Sequence, residues 1–321
     1  MKRLKVGVVG VGHLGRFHAE KFARIPEAEL VGVADIEEER AREVGQRLGV
    51  PWFTEWQALL SRAEALSIVT PTVTHYEIAR KALLAGKHLF VEKPLTESPE
   101  TAAELVELAQ RQGLFLQVGH IERFQPSIKH LLSRVKRPLF IEADRLSIFS
   151  ERSLDIDVVL DLMIHDLDLV LFLARGARLK GLLAAGAPVL SDKIDIASVR
   201  LLFENGLSAN LTASRISLTP QRRFRVFEHG AYFSADTLHR KLFEVQLLPH
   251  GELRTHEEEF PEADPLYEEL ASFVTAVLSG KRPPVPGEEA LVSLELASRI
   301  RKEIETQLQT YLAQSAGETV R

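Results

Sequence analysis

Short apolar runs alternate with helical patterns through the first 120 residues, and this alternation constrains the fold more than any other feature. Lys5–Val9 reads as a strand and His13–Ile25 as a helix. Leu30–Ala34 is the next strand, followed by a charged helix over Glu37–Leu48. Ala65–Thr70, a helix over Val73–Ala85, His88–Val91, a helix over Pro99–Gln112 and Leu114–Val118 continue the series. Strands joined through helices by short loops imply right-handed crossovers and a parallel sheet. The strands are almost continuously apolar, as expected when helices cover both sheet faces. The spacing therefore predicts a doubly wound α/β domain.

The pattern changes after residue 120. Pro126–Val135 reads as a helix, Leu139–Ile148 as a strand and Asp157–Ala174 as a long helix. From Leu179 to Glu259 strand character dominates, in the runs Ala197–Phe203, Leu207–Ala213, Arg223–Phe227, Ala231–Ser234 and Leu242–Leu248. Asn205-Gly206 is a strong hairpin signal, and His229-Gly230 and His250-Gly251 mark two further turns. These features predict an open, mostly antiparallel sheet covered on one face by the two preceding helices. Two last helices, Pro265–Ser279 and Glu288–Leu312, are separated by Pro283, Pro284 and Pro286, and the tail from Ala313 is expected to fray. The expected domains are residues 1–120 and 121–321, with the last helix able to pack back on the first.

Composition excludes several classes. At 321 residues, 45% hydrophobic and 26% charged, the chain can bury two cores, which rules out disorder as its main state. A net charge of −5 argues against a nucleic-acid partner. With no cysteine, disulfides and thiolate metal sites are unavailable. The N-terminal apolar run is too short for a signal peptide, and His13 and Arg16 break the stretch after it. The best membrane candidate, Val158–Ala174, carries Asp161, His165, Asp166 and Asp168. A cytoplasmic protein without a membrane partner is the expectation.

Gly10-Val11-Gly12-His13-Leu14-Gly15 comes directly after the first strand and opens the first helix. In that context the three glycines read as a dinucleotide loop. Gly10 permits the turn, Gly12 lets backbone approach a pyrophosphate, and Gly15 allows close helix–strand packing. Asp35 closes the second strand, twenty residues past Gly15 (35 − 15). A carboxylate there accepts ribose hydroxyls and repels a 2′-phosphate, so NAD is expected rather than NADP. Arg40 and Arg42 keep NADP open, and Asp35 can also cap the helix near Glu37. Thr70-Pro71-Thr72, with His75 beyond, and Glu92-Lys93 both end strands on the ligand edge. Their alternatives are a helix-capping turn and a solvated surface pair.

Asp157, Asp161, His165 and Asp168 fall near 0°, 40°, 80° and 20° on a helical wheel at about 100° per residue. They form a thin acidic stripe on a largely apolar helix. Asp161 and His165, four apart, can meet, and a carboxylate beside an imidazole suits a general base. The same pair can ligate Zn or Fe, and a merely solvated stripe is the third reading.

Taken in order, these motifs resemble the Gfo/Idh/MocA oxidoreductases. The parts that carry the resemblance are the Gly10–Gly15 loop with His18, Thr70-Pro71 with His75, Glu92-Lys93-Pro94, and Asp161-Leu162-Met163-Ile164-His165. The resemblance implies an N-terminal Rossmann domain and a C-terminal α/β domain whose sheets pair into homodimers or homotetramers. It implies Lys93, Asp161 and His165 as the catalytic group and a cis Lys93–Pro94 bond; no metal is expected, because Asp161 and His165 lack convincing further ligands and the chain has no cysteine. It implies cofactor contacts from Gly10, Gly12, His13, Leu14, Gly15, Asp35, Thr70, Pro71, Thr72, His75, Glu92 and Lys93. Lys93, Arg123, Arg145, Asp161 and His165 would meet the substrate.

A narrower resemblance rests on Val118-Gly119-His120, Arg123-Phe124, Pro126, Glu142, Arg145 and Asp155 to Asp168. It points to the subgroup that oxidises UDP-N-acetylglucosamine at C3. Such a substrate needs cations for its diphosphate, with Arg123 first and Arg145 and Arg152 as alternatives. Free sugars and inositols are the competing substrates. A non-catalytic NAD-binding regulator on the same fold is the competing class.

Overall fold

The structure is a computed structural model that describes residues 2–150 and 156–318. Arg152 and Asp155 lie outside the described residues. The chain divides into two compact units, Met1–Ile121 with Asp264–Leu294, and Glu122–Ala263 with Glu295–Arg321.

The first unit holds β1 (Leu4–Val9), α1 (Gly15–Arg24), β2 (Ala28–Ala34), α2 (Glu38–Leu48), β3 (Trp52–Phe53), β4 (Ala65–Ile68), α3 (Thr72–Leu84), β5 (His88–Glu92), α4 (Pro99–Gln112) and β6 (Leu116–Gly119). Its six strands lie in the order β3-β2-β1-β4-β5-β6, and every pair is parallel. Val6, Val8, Leu66, Ile68, Leu89, Phe90 and Val91 are fully buried, as the continuous apolar runs require. Strand order reverses beside β1, which has β2 on one side and β4 on the other. In open α/β sheets that switch point is where the strand C-termini receive ligands.

The second unit holds α5 (Pro126–Arg134), β7 (Phe140–Leu146), a π-helical turn over Val159–Met163 that runs into α6 (Ile164–Ala174), β8 (Leu179–Ala187), β9 (Ile196–Phe203), β10 (Ser208–Ser214), β11 (Gln221–Glu228), β12 (Ala231–Asp236), β13 (Lys241–Leu247) and β14 (Leu253–Glu259). The strand order is β14-β13-β12-β11-β7-β10-β9-β8. Only β7 and β10 run parallel; the other pairs are antiparallel. Asn205-Gly206 makes the β9–β10 hairpin, with Gly206 at φ 88° and the Asn205 side chain accepting from the Leu207 amide at 3.1 Å. α5 packs on β12 and β13, and the π turn packs on β10.

α7 (Pro265–Ser279) and the start of α8 (Gly287–Glu318) return to the first unit. Leu270, Phe273 and Val274 of α7 join the cluster built on Val6, Val8, Phe22 and Phe90. Asp264 caps α7 through the Tyr267 amide and pairs with Lys21 of α1 at 2.6 Å. The second unit is therefore not one stretch from residue 121 to the end.

Three strands escape the sequence pattern. β3 has two residues, β8 is rich in glycine and alanine, and β14 is almost wholly exposed, so none shows apolar alternation. α8 remains helical to Glu318, past the expected fraying point at Ala313.

Candidate active site

The first unit carries the glycine loop at the C-terminal end of β1. Gly10 has φ 83°, and a Cβ there would lie 2.6 Å from the Val69 carbonyl oxygen. A Cβ on Gly15 would lie 1.8 Å from the Gly10 carbonyl oxygen, so α1 starts in van der Waals contact with the loop. Gly12 differs. Its nearest neighbour is an Arg40 guanidinium nitrogen 3.5 Å from the Cβ position, which leaves space over its backbone. His13 and Leu14 are exposed beside it.

Asp35, just past β2, is 8% exposed. One carboxylate oxygen accepts the Val11 amide at 2.9 Å and the other accepts the Glu37 amide at 3.0 Å. It therefore braces the glycine loop and the turn into α2 together. This is the double duty the sequence allows, although Glu37 rather than Asp35 is the helix cap residue.

The tips of β4 and β5 are tied to one another. His75 is buried, with one ring nitrogen 2.8 Å from the Thr70 carbonyl and the other 3.0 Å from the Pro94 carbonyl. Burial lowers its pKa, against hydrogen bonds to Thr70 and Pro94 that raise it. Both ring nitrogens are thus committed to backbone, and His75 shapes the two tips rather than presenting a nitrogen to a ligand. Thr70 and Thr74 hydroxyls lie 2.7 Å apart, Pro71 caps α3, and Thr72 is its buried first residue. The Lys93–Pro94 peptide is cis. Half-buried Lys93 comes after Glu92 at the β5 tip.

Glu92 rests on a pair that sequence spacing does not reveal. His18 of α1, 1% exposed, places Nε2 3.2 Å from the Glu92 carboxylate and Nδ1 3.0 Å from the Ser67 hydroxyl. The Lys93 amide donates to the other Glu92 oxygen at 3.2 Å. Burial opposes the Glu92 charge, yet His18 and the Lys93 cation hold its pKa below the ordinary carboxylate value. A histidine in the first turn of a helix gives no sequence signal for a partner on a distant strand.

The second unit resolves the acidic stripe into separate tasks. Asp157 caps the helix start through the Val159 and Leu160 amides at 2.9 and 3.1 Å, and pairs with Arg301 at 2.5 Å. Asp168 receives a bidentate Arg123 fork, two bonds of 2.6 Å. Asp166 and Glu122 share Arg145, at 2.7 and 3.0 Å. Burial disfavours the Arg145 cation, but these two carboxylates raise its pKa above normal. The π turn breaks the uniform angular step of the wheel, so only His165 and Asp168 keep the assumed spacing. π turns cluster at functional sites, and Asp161 lies inside this one. Asp161 is half-buried and His165 is 9% exposed.

Arg123 and Arg145 both have internal carboxylate partners. They are 9% and 5% exposed. Among the described residues no group of three His, Cys, Asp or Glu side chains could hold a metal ion. No described helix is long and apolar enough to cross a membrane.

Residues 4–120 match the Gfo/Idh/MocA family model, described as an oxidoreductase family with an NAD-binding Rossmann fold. The chain is 40% identical over 317 residues to the UDP-N-acetylglucosamine 3-dehydrogenase of Acidithiobacillus ferrooxidans, covering 96% of this chain and 100% of that one. A solved structure of that enzyme superposes with a TM-score of 0.89 over 95% of this chain and 99% of its own. The myo-inositol 2-dehydrogenase of Thermotoga maritima is 27% identical, covering 98% of this chain and 100% of that one.

Proposed function

The chain belongs to the Gfo/Idh/MocA oxidoreductase family, and from that premise we propose that it oxidises the C3 hydroxyl of UDP-N-acetylglucosamine with NAD. The observation that carries the substrate is the full-length, 40% identical likeness to an enzyme named for that reaction. The retained Lys93 and His165 favour a catalyst over a regulator, which needs no proton-transfer group.

The residues present fit a dinucleotide. Space lies over Gly12, and the Asp35 carboxylate stands at the sheet edge beside it. Gly10, Gly12, His13, Leu14 and Gly15 would hold the pyrophosphate side, and Asp35 the adenosine ribose. Thr70, Pro71, Thr72 and Glu92 would border the nicotinamide half. NAD, when bound, supplies the hydride acceptor at nicotinamide C4. His165 takes the hydroxyl proton, a role Lys93 can share, and Asp161 orients the substrate or His165. Lys93 donates to the reacting oxygen and stabilises its developing charge. The C3–H leaves as hydride and the O–H as a proton, which leaves a ketone. Asp35 repels a 2′-phosphate, so NAD is the principal cofactor. With a soluble dinucleotide as co-substrate, we assign the enzyme to the cytoplasm.

The same reading includes a homo-oligomer formed through the second unit's sheet. β9 and β10 bury alternate residues and leave one face open. That face carries Leu183, Leu202 and Phe243, 63%, 42% and 37% exposed. Phe140, Phe227, Tyr232 and Phe243 form a continuous aromatic row along it, with centroids 4.9–6.4 Å apart. Beside the row, Arg225 pairs with Glu142 and Asp144, so the face offers an aromatic strip next to charged groups, a mixture suited to self-association. A monomeric mass by native mass spectrometry would refute it.

The deciding experiment measures NADH formation with UDP-N-acetylglucosamine, other UDP-sugars, free sugars and inositols. UDP-N-acetylglucosamine is expected to give the highest kcat/KM. Turnover of a free sugar or inositol with UDP-N-acetylglucosamine inert would overturn the substrate. No turnover on any, with NAD affinity unchanged in Lys93→Ala and His165→Ala, would favour the regulator.

A further inference from the structure

The helix that carries Asp161 and His165 is held at its start by residues from outside it. Asp195, directly before β9 and fully buried, gathers the loop that follows β8. One carboxylate oxygen accepts the Val189, Leu190 and Ser191 amides at 2.8, 2.7 and 2.9 Å, and the other accepts the Ser191 hydroxyl at 2.6 Å. That second oxygen lies 3.5 Å from Nε of Arg215, the buried residue directly after β10. Nη2 of Arg215 donates to the Ile156 carbonyl at 2.7 Å, and the Val158 amide donates to the Ile194 carbonyl at 2.9 Å. Two bonds, one in each direction, thus fasten the chain just before the π turn. Asp157 adds a tie to Arg301 of α8, which is more exposed than Arg215.

The π turn over Val159–Met163 gives these ties their purpose. It runs directly into the ordinary helix of α6, and the π form is the rarer one, holding an extra residue per turn. Relaxation to an α-helix would rotate the upstream chain by about 100° relative to His165, the angle of one residue. Asp161, inside the turn, would leave its present relation to His165. From this geometry we infer that Asp195 and Arg215 are positioning residues for the reaction: they hold the start of the helix, keep the π turn wound and so fix Asp161 against His165. The inference rests on the catalytic reading of Asp161 and His165 and deepens it. An arginine suits the task because its planar fork faces an acid through Nε and a carbonyl through Nη2 at once, which a point donor such as lysine does not.

Steady-state kinetics and hydrogen exchange on the full chain test the clamp. Arg215→Lys and Asp195→Asn are the mildest changes to the pair. Each is expected to lower kcat for UDP-N-acetylglucosamine at least about tenfold, the scale of a displaced catalytic group, with KM for NAD unchanged. Amides of Val159–Met163 should exchange faster than in wild type. Dilute guanidinium chloride should restore kcat to Arg215→Ala by refilling the place of the fork, and equal sodium chloride should not. Lys193→Ala, an exposed side chain of the same loop, should leave kcat as it is. Rates are taken per folded molecule, with circular dichroism reading the folded fraction. Variants that lose stability but keep wild-type kcat per folded molecule overturn the inference, as does unchanged exchange over Val159–Met163. If wild type oxidises no sugar while Arg215→Lys still quickens that exchange, the catalytic reading of Asp161 and His165 falls, and the catalytic use of the clamp with it.

Discussion

The His18 imidazole stands 3.2 Å from the Glu92 carboxylate, and this pair fixes the strand tip from which Lys93 projects. Gly119 on the neighbouring strand is part of the arrangement, because a Cβ there would lie 2.7 Å from the same carboxylate. Gly119→Ala should therefore push Glu92 off His18 and cost about 1–3 kcal/mol, the penalty of an unmade buried hydrogen bond. Glu92→Gln tests the charge. The folded Glu92 pKa lies below its unfolded value. Its contribution is thus complete above the ordinary carboxylate range and is lost as pH falls through the folded value. Denaturant unfolding across the acid range should show a shallower decline for Glu92→Gln than for wild type. Identical acid limbs would remove this role.

Gly12 and Gly15 should separate binding from folding. Gly15→Ala drives a methyl to 1.8 Å from the Gly10 carbonyl, a backbone clash that no side-chain rotation relieves. A loss above about 4 kcal/mol is expected, visible as a large drop in Tm. Gly12→Ala meets only the flexible end of Arg40 at 3.5 Å and should keep a near-wild-type Tm. Its methyl would occupy the space over the loop, so NAD affinity should fall at least about tenfold. A Gly12→Ala protein with full NAD affinity would place the pyrophosphate elsewhere.

The first unit was legible because its signals have few rival explanations. A glycine triplet between an apolar run and a helix, with Asp35 at the next strand end, leaves little else to build. The second unit was harder for physical reasons. β14, Leu253–Glu259, is an exposed edge and lacks apolar alternation. The wheel through Asp157–Asp168 assumed one helical step, and the π turn broke it. Arg123 and Arg145 look alike as ligand cations or internal partners, since sequence does not show that Asp168, Asp166 and Glu122 face them. Likewise α7 shows an apolar stripe but not which core it enters.

Arg145 provides a clean contrast between those two uses of an arginine. Arg145→Met strands Asp166 and Glu122 as buried acids and should cost about 3–5 kcal/mol. Restoring neutrality with Glu122→Gln and Asp166→Asn in the same chain should recover much of that loss. Denaturant midpoints of the single and triple variants check both steps. A stable Arg145→Met protein with a raised KM for UDP-N-acetylglucosamine would instead return Arg145 to the diphosphate.

His165 carries the sharpest kinetic expectation. It sits buried in the regular part of the helix, whereas Asp157 is engaged in a cap and Asp168 with Arg123. If the proposed role as proton acceptor holds, its removal in His165→Ala lowers kcat about 10²–10⁴-fold. KM for NAD should change little, because a proton acceptor acts on the sugar hydroxyl and not on the dinucleotide. Lys93→Ala should lower kcat as well, and Lys93→Arg should recover only part, since a planar fork replaces a point donor. Steady-state kinetics with circular dichroism as a folding control read these effects. A His165→Ala enzyme with wild-type kcat would move the base to Lys93, leaving the helix to orient the sugar.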